Sequence, residues 1–144
     1  GRRCQRDPSQ PLIVLVDSRN HPGNCPRATA LGLGTCICAN TPSIGAAVSA
    51  FSPTMVAVEP PELIGSGVSV SKAKPEVVRD SVLAIKKIDP RVRVLCGAGV
   101  TSGDDVGVAI KLGSEGILVA SGVVKAKDPS VVLSDFAKSI RGTK

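Results

Sequence analysis

Residues 55–67 have the sequence MVAVEPPELIGSG, in which an apolar run is followed by a carboxylate, two prolines and a glycine-rich stretch. The apolar run at 55–58 predicts a buried strand, and Glu59 follows it directly. The prolines stiffen the chain that leaves the strand, whereas the glycines at 65 and 67 make its far end flexible. This arrangement is typical of a base on a rigid element beside a loop that closes as a lid. From this segment alone, an exposed glutamate before an ordinary connecting loop remains an alternative.

Apolar runs and helical patterns alternate on both sides of this segment. The predicted strands are residues 35–39, 55–58, 93–96 and 116–120, with 12–16 as an additional candidate. The predicted helices are residues 44–51, 75–88, 104–112 and 129–140. Alternating β and α units with almost wholly apolar strands indicate an α/β fold with a parallel sheet. Periodicity leaves open whether the sheet is doubly wound or part of a β/α barrel.

Two further glycine-rich segments follow the later strands. Residues 97–103 (GAGVTSG) come after one strand and open a helix, and residues 120–123 (ASGV) come after the next. Small residues let backbone N–H groups approach an anion closely, and a helix N-terminus favours negative charge. In β/α barrels the loops after strands 7 and 8 commonly form a phosphate site. Each segment is a weak signal alone, but the three in series predict a phosphate-binding edge of the sheet.

Together these segments resemble the archaeal-type triosephosphate isomerases over roughly residues 30–140. The matching motifs are VAVEPPELIGSG (56–67), VSKAKPE (70–76), VLCGAGVTSGDDV (94–106), LGSEGILVASGV (112–123) and KAKDP (125–129). The resemblance implies a partial (β/α)8 TIM barrel, comprising about the C-terminal four to five β/α units with a parallel sheet. It also implies interconversion of dihydroxyacetone phosphate and D-glyceraldehyde 3-phosphate in glycolysis and gluconeogenesis, with no metal or organic cofactor.

The resemblance assigns roles to particular residues. Glu59 is implied to be the base that moves a proton between two substrate carbons through an enediolate. Residues 60–67 are implied to form the lid, which excludes water from this labile intermediate. The positions whose backbone is implied to hold the phosphate are Ile64, Gly65, Gly99, Ala120 and Ser121.

The first half of the family pattern is missing from this chain. The family has an Asn-x-Lys near its N-terminus, for which no counterpart exists here. Its electrophilic histidine lies in an Asn-His-Ser-Glu motif, whereas this chain offers Asn-His-Pro-Gly at 20–23. His21 precedes Gly32-Leu33 by only eleven residues, too few for the intervening helix. We therefore expect an incidental loop position for His21 rather than a catalytic one.

The N-terminal segment also differs in composition from the rest. The first 71 residues contain no lysine and the last 73 contain all nine, while five of the nine arginines fall within residues 1–27. We expect a fragment with a divergent or poorly ordered segment at 1–30 and the C-terminal half of a barrel at 31–144. A half-barrel exposes edge strands and an apolar interior, so it should pair with another copy, bind the missing half or be poorly soluble. The resemblance implies a homo-oligomer.

Composition narrows the partners and the compartment. The formal charge of +6 attracts phosphorylated metabolites as well as nucleic acid. The basic residues are scattered, however, and only Phe51 and Phe136 are aromatic, so we expect no nucleic-acid binding. No apolar run is long enough to span a membrane.

The five irregularly spaced cysteines predict a cytoplasmic protein without a disulfide framework. Cys36 and Cys38 share a strand face without further ligands, which favours buried thiols over a metal site.

Other charged side chains near the motifs have simpler interpretations. We expect Glu62 to be a solvated or hinge-pairing carboxylate, and Lys72 and Lys74 to be solvated rather than to attract the anion. Asp104 and Asp105 are expected to compensate a helix dipole. Two alternative functions remain: a catalytically inactive phosphate-binding fragment, which the missing lysine supports, and another phosphosugar enzyme on the same barrel, which the Glu-Pro-Pro-Glu-Leu-Ile-Gly lid disfavours.

Overall fold

The computed structural model describes residues 25–143 and, before them, one strand at residues 13–17. Five strands form a single parallel sheet: β1 (Ile13–Asp17), β2 (Gly34–Ala39), β3 (Met55–Val58), β4 (Arg93–Gly97) and β5 (Gly116–Leu118). Seven helices accompany the described strands: α1 (Cys25–Ala30), α2 (Pro42–Ser49), α3 (Val70–Ala73), α4 (Pro75–Ile88), α5 (Gly103–Lys111), α6 (Ser121–Val124) and α7 (Pro129–Gly142). The candidate residue His21 lies outside the described residues.

The order of the strands decides between the two architectures that periodicity left open. The sheet runs β1-β2-β3-β4-β5, so each strand pairs with the next one in the sequence. Crossovers between parallel strands are right-handed, and a sheet that never reverses its order therefore carries all its crossover helices on one face. A doubly wound sheet needs a reversal, which is absent from the part of the chain that the structure describes. The fold is a partial β/α barrel, as the sequence predicted.

The helix-covered face of the sheet holds the main core. Register pairs Ile37 with Val56, and Val56 with Val94, so the three side chains lie in one row across β2, β3 and β4. Ile85 of α4 packs against this row, and all four residues are fully buried. Burying each such side chain contributes roughly 1.5–3 kcal/mol, which makes this layer the main source of stability.

The opposite face of the sheet corresponds to the interior of a barrel. Side chains alternate along a strand, so Met55 and Ala57 point to this face while Val56 and Val58 point to the helices. Met55 is partly exposed, and so are Leu95 and Leu118, which share its face in β4 and β5. The inner face is therefore less completely covered than the helical face.

Side-chain caps fix where α2 and α5 begin. Thr41 caps α2, because its Oγ1 accepts from the Ile44 N–H at 3.3 Å. This cap starts the helix at Pro42, two residues before the predicted start. Ser102 and Asp105 form a capping box at α5, in which each side chain accepts from the other residue's backbone N–H.

The segment around Ala120 also differs from the sequence-based expectation. Strand β5 ends at Leu118 rather than at residue 120, and Ala120 is out of the extended conformation at φ −124° and ψ −77°. The chain then enters α6, which the sequence analysis missed because four residues show no helical periodicity. No helix in the described part of the chain is both long and apolar enough to cross a lipid bilayer.

Candidate active site

Glu59 lies at the carboxyl end of β3 and faces the inner side of the sheet. Its backbone N–H donates to the Ala39 carbonyl oxygen at 2.8 Å, which continues the β2–β3 pairing by one residue beyond the strand. Strand alternation places its side chain on the same face as Met55 and Ala57. The carboxylate is thus held by a buried strand and directed away from the helix-side core.

Gly97 at the end of β4 makes room for the Glu59 side chain. Val58 pairs with Cys96, so Glu59 and Gly97 are the next neighbours across the two strands. A Cβ atom on Gly97 would lie 2.5 Å from the Glu59 Cγ atom and 2.6 Å from its Oε1 atom. Real Cβ atoms do not come this close to other heavy atoms, so the observed position of Glu59 requires glycine at residue 97.

The chain turns sharply after Gly97 through two left-handed residues. Ala98 has φ 70° and Gly99 has φ 69°, and an L-residue in this region carries about 1–2 kcal/mol of strain. The turn is anchored to the far end of the lid, because the Val70 N–H donates to the Ala98 carbonyl oxygen at 3.2 Å. A Cβ atom on Gly99 would overlap the Val68 carbonyl group. The glycine loop at residues 97–101 and the base of the lid are therefore packed backbone to backbone.

The lid, residues 60–67, has its own internal order. Residues Pro61–Leu63 form one 3-10 turn, and the Ser66 hydroxyl donates to the Leu63 carbonyl oxygen at 2.8 Å. The Ser66 Oγ also accepts from the Val68 N–H at 3.0 Å. At the tip of this segment, the apolar side chain of Ile64 is 59% exposed.

A single cavity brings together every residue that the sequence predicted for the site. It has a volume of about 310 Å³. The predicted residues that line it are Glu59, Ile64, Gly65, Gly99, Ala120 and Ser121. The cavity is also lined by other residues of the predicted lid and glycine-rich segments: Gly67, Ala98, Val100, Thr101 and Gly122. Three lining residues lie outside those segments and were not predicted: Leu118, Val119 and Lys125. Loops after three consecutive strands thus meet at one edge of the sheet.

Half of the residues that line the cavity are glycine, alanine or serine. Ser121 starts α6, and the first turn of a helix leaves N–H groups without intrahelical partners. Such groups can hydrogen-bond an anion. Among residues 25–143, no group of three or more His, Cys, Asp and Glu side chains is arranged to hold a metal ion.

Two lysines near the lid are engaged in ion pairs, contrary to the expectation that they are simply solvated. The Lys72 ammonium lies 2.7 Å from Asp104 Oδ2 and 2.9 Å from Asp105 Oδ1. Lys74 pairs with Glu62 of the predicted lid, so this exposed carboxylate is an ion-pair partner, and its role at a hinge stays a prediction. These contacts connect α3 to the start of α5 and tie the lid to the start of α4.

Asp105 organises the segment between the glycine loop and α5. It is 4 % exposed, and its Oδ2 accepts from the Thr101 and Ser102 N–H groups, each at 3.0 Å. Burial alone would raise the pKa of Asp105, but these hydrogen bonds and the Lys72 ammonium outweigh it and hold the pKa below its usual value. Asp105 is therefore a charged anchor for the backbone of Thr101, which lines the cavity.

The buried thiols of Cys36 and Cys96 lie near Glu59, and their pKa values are raised. Burial, and then the Glu59 carboxylate, raise the pKa of the Cys36 thiol to about 11. Burial, and then Asp105 and Glu59, raise the pKa of the Cys96 thiol to about 12. Both thiols are neutral at physiological pH, so neither acts as a nucleophile there.

A second groove lies between the start of α5 and α7 and contains none of the predicted site residues. It has a volume of about 460 Å³ and is lined by Ser102, Ser134, Asp135 and Lys138 among others. Asp135 is already occupied, since its Oδ2 accepts from the Gly103 N–H at 2.6 Å. The cavity at the strand ends, although smaller, is the one that contains Glu59.

The sequence of this chain is similar to those of several known proteins. The chain is 54% identical over 113 residues to the triosephosphate isomerase of Methanosarcina barkeri, covering 78% of this chain and 51% of that protein. It is 54% identical over 132 residues to that of Methanocaldococcus jannaschii, covering 92% of this chain and 59% of that protein. The chain thus spans about half the length of the curated relatives it matches.

Solved structures agree on the fold. The 3-hexulose-6-phosphate synthase from Salmonella typhimurium superposes with a TM-score of 0.66 at 17% identity, covering 92% of this chain and 63% of that one. At this identity the likeness concerns the fold alone. The family model described as triosephosphate isomerase matches residues 34–141, which include β2 to β5 and the whole cavity. On this match and on the identity to the archaeal proteins, the chain belongs to the triosephosphate isomerase family.

Proposed function

We propose that this chain supplies the catalytic base and the phosphate site of a triosephosphate isomerase, which interconverts dihydroxyacetone phosphate and D-glyceraldehyde 3-phosphate. The observation that carries the proposal is the shared cavity, in which Glu59 lies with Gly65, Gly99 and Ser121. Backbone N–H groups of these loops are proposed to hold the phosphate. With the phosphate held there, the reacting carbons of the substrate would lie against Glu59.

The proposed chemistry is a proton transfer between neighbouring carbons. The Glu59 carboxylate removes a proton from the carbon next to the substrate carbonyl, and the electron pair moves onto the carbonyl oxygen to give an enediolate. The protonated glutamic acid then returns the proton to the adjacent carbon, while the hydroxyl proton on the first carbon passes to the oxyanion on the second. The first carbon thus becomes the new carbonyl and the second carries the new hydroxyl group, so no atom is gained or lost. Residues 60–67 would close over the intermediate and exclude water. The only histidine, His21, lies outside the described residues, and we assign it no role.

A coupled isomerase assay on the full chain tests the base. Removal of a positioned general base typically lowers kcat by 10²–10⁴-fold, so Glu59→Gln should do so at little cost in stability. Glu59→Asp shortens the side chain by one methylene and should also lose most activity, because reaction geometry tolerates little displacement. Glu76→Gln, an exposed carboxylate in α4, removes the same charge and should leave kcat unchanged.

The assay also separates the alternatives. Phosphate binding without turnover in the parent chain would favour a catalytically inactive fragment. Turnover of a different phosphosugar would favour another enzyme on the same barrel. Equal turnover by the parent and by Glu59→Gln would refute the assigned base.

We further propose that the chain functions in the cytoplasm as a homo-oligomer, and that residues 1–30 form a divergent segment before a half-barrel at 31–144. The partly exposed inner-face residues Met55, Leu95 and Leu118 support association with another chain, because exposed apolar surface favours burial. Sedimentation velocity over a range of protein concentrations tests this, and a monomer at all concentrations would contradict it.

A further inference from the structure

We propose that Lys125 supplies the positive charge that a bound phosphate group meets in this cavity, an inference that rests on the proposed function and extends it. Among the residues that line the cavity, Glu59 and Lys125 are the two with ionisable side chains that are charged at neutral pH. Glu59 is an anion and repels phosphate. Lys125 is thus the one lysine or arginine among the described residues that line the cavity.

The backbone at Lys125 is held close to the predicted phosphate-binding residues. It follows the single turn of α6 directly, and its N–H donates to the Ser121 carbonyl oxygen at 3.1 Å. Residues four apart lie on the same side of a helical turn, so Lys125 is on the side of Ser121. A Cβ atom on Gly122 would overlap the Val100 carbonyl oxygen, so α6 lies directly against the glycine loop. The short helix therefore fixes Lys125 with respect to both predicted phosphate-binding loops.

The two lysines near the predicted lid, Lys72 and Lys74, already form ion pairs with carboxylates. Lys72 is bound between Asp104 and Asp105, and Lys74 is paired with Glu62. Within residues 25–143, Lys125 makes no ion pair with a carboxylate. An unpaired ammonium group keeps its full charge for an incoming dianion, and lysine binds phosphate as a point charge with rotatable donors.

The expected contribution is modest because Lys125 is exposed. Solvent screens an exposed charge pair, so loss of the ammonium should weaken phosphate binding by about three- to tenfold at low ionic strength. Added salt should reduce this difference, because the Debye length falls from about 30 Å at 0.01 M to about 3 Å at 1 M.

Titration of the full 144-residue chain with inorganic phosphate tests the proposal, using the amide ¹H–¹⁵N resonances of Gly99 and Ser121 as reporters. Lys125→Met should raise the Kd about three- to tenfold in low salt, and Lys125→Arg should restore most of the affinity. Lys127→Met is the matched control, because it removes the same charge two residues away from a side chain that is exposed and does not line the cavity. It should change the Kd by less than about twofold.

Three outcomes would overturn the inference, and the third would overturn the proposed function with it. If Lys125→Met leaves the Kd unchanged, Lys125 does not meet the phosphate, while the proposed isomerase function stands on the glycine loops alone. If Lys127→Met weakens binding as much as Lys125→Met, the effect comes from net charge and not from the cavity. A parent chain whose Gly99 and Ser121 amides do not respond to phosphate at all would overturn the phosphate site, and with it both proposals.

Discussion

The Glu59 side chain lies directly over the Cα atom of Gly97, at the carboxyl ends of two neighbouring strands. Because the missing side chain of one residue makes the space for the other, the sheet itself sets the position of the proposed base. A position set by packing in this way is sensitive to a single added carbon atom.

Gly97→Ala should therefore displace Glu59 and leave most of the fold intact. The new methyl group would overlap the Glu59 carboxylate, and a misplacement of about 1 Å can lower a rate about 10²-fold. We expect a loss of kcat of that order in the coupled assay, together with a shifted ¹³C resonance of the Glu59 carboxyl group. Gly142→Ala is the control, because a Cβ atom at that position in α7 meets nothing within 4 Å. An unmoved carboxyl resonance in Gly97→Ala would contradict the packing relationship.

Gly65 and Gly99 offer a matched pair for separating backbone strain from steric overlap. Both have positive φ, 75° and 69°, so alanine at either position brings about 1–2 kcal/mol of conformational strain. At Gly65 the added Cβ meets open space, whereas at Gly99 it overlaps the Val68 carbonyl group. Urea denaturation should show Gly99→Ala to be the less stable variant by at least about 1 kcal/mol. Equal losses in the two variants would show that the lid base is not packed on the glycine loop.

Asp105 should make the stability of the chain depend on acid pH. Its pKa is held below the usual value in the folded state, so its stabilising effect is present above the unfolded pKa of about 3.9 and is lost as pH falls towards the folded value. At pH 7, Asp105→Asn should lower the free energy of unfolding by about 1–2 kcal/mol, since it weakens a capping box built on a buried carboxylate. As the pH falls below about 4 towards the lower folded pKa, this contribution is progressively lost, and the difference should shrink.

Asp104→Asn is the control for this pH dependence. Asp104 also pairs with Lys72, but its side chain is 77% exposed, and an exposed ion pair contributes little. Circular dichroism during urea unfolding at pH 7 and pH 3 measures both variants. If the free energies of unfolding of the parent and of Asp105→Asn differ by the same amount at both pH values, ionisation of Asp105 does not make the stability depend on pH.

Much of the site could be predicted because its signals are local in the sequence. The apolar run before Glu59 sets the strand, and a parallel sheet brings the ends of its strands to one edge. The glycine-rich segments follow from the same rule once the strands are assigned, whereas the choice of Gly65, Gly99 and Ser121 within them rests on the resemblance to the archaeal-type isomerases. Lys125 was not predicted as a lining residue, because a single lysine carries no pattern that shows which surface it belongs to. Its spacing of four from Ser121 nevertheless suits one helical turn.

Other features depend on contacts between distant residues and could not be predicted from local patterns. Lys72 and Asp105 are 33 positions apart in the chain, and their ion pair arises only because α3 packs beside the start of α5. The need for glycine at residue 97 is likewise hidden, since it depends on a side chain from the neighbouring strand. Periodicity cannot supply the strand order either, because one pattern suits both a doubly wound sheet and a barrel.

The row of Ile37, Val56 and Val94 under α4 and the carboxylate of Glu59 are on opposite sides of the same sheet, and no described core cluster includes Glu59. The proposed proton transfer by Glu59 and the packing of the core therefore depend on different atoms. A chain in which Glu59 is replaced by glutamine should fold like the parent while losing the base. Such a variant would give crystallographers a stable scaffold in which to trap an unreacted substrate.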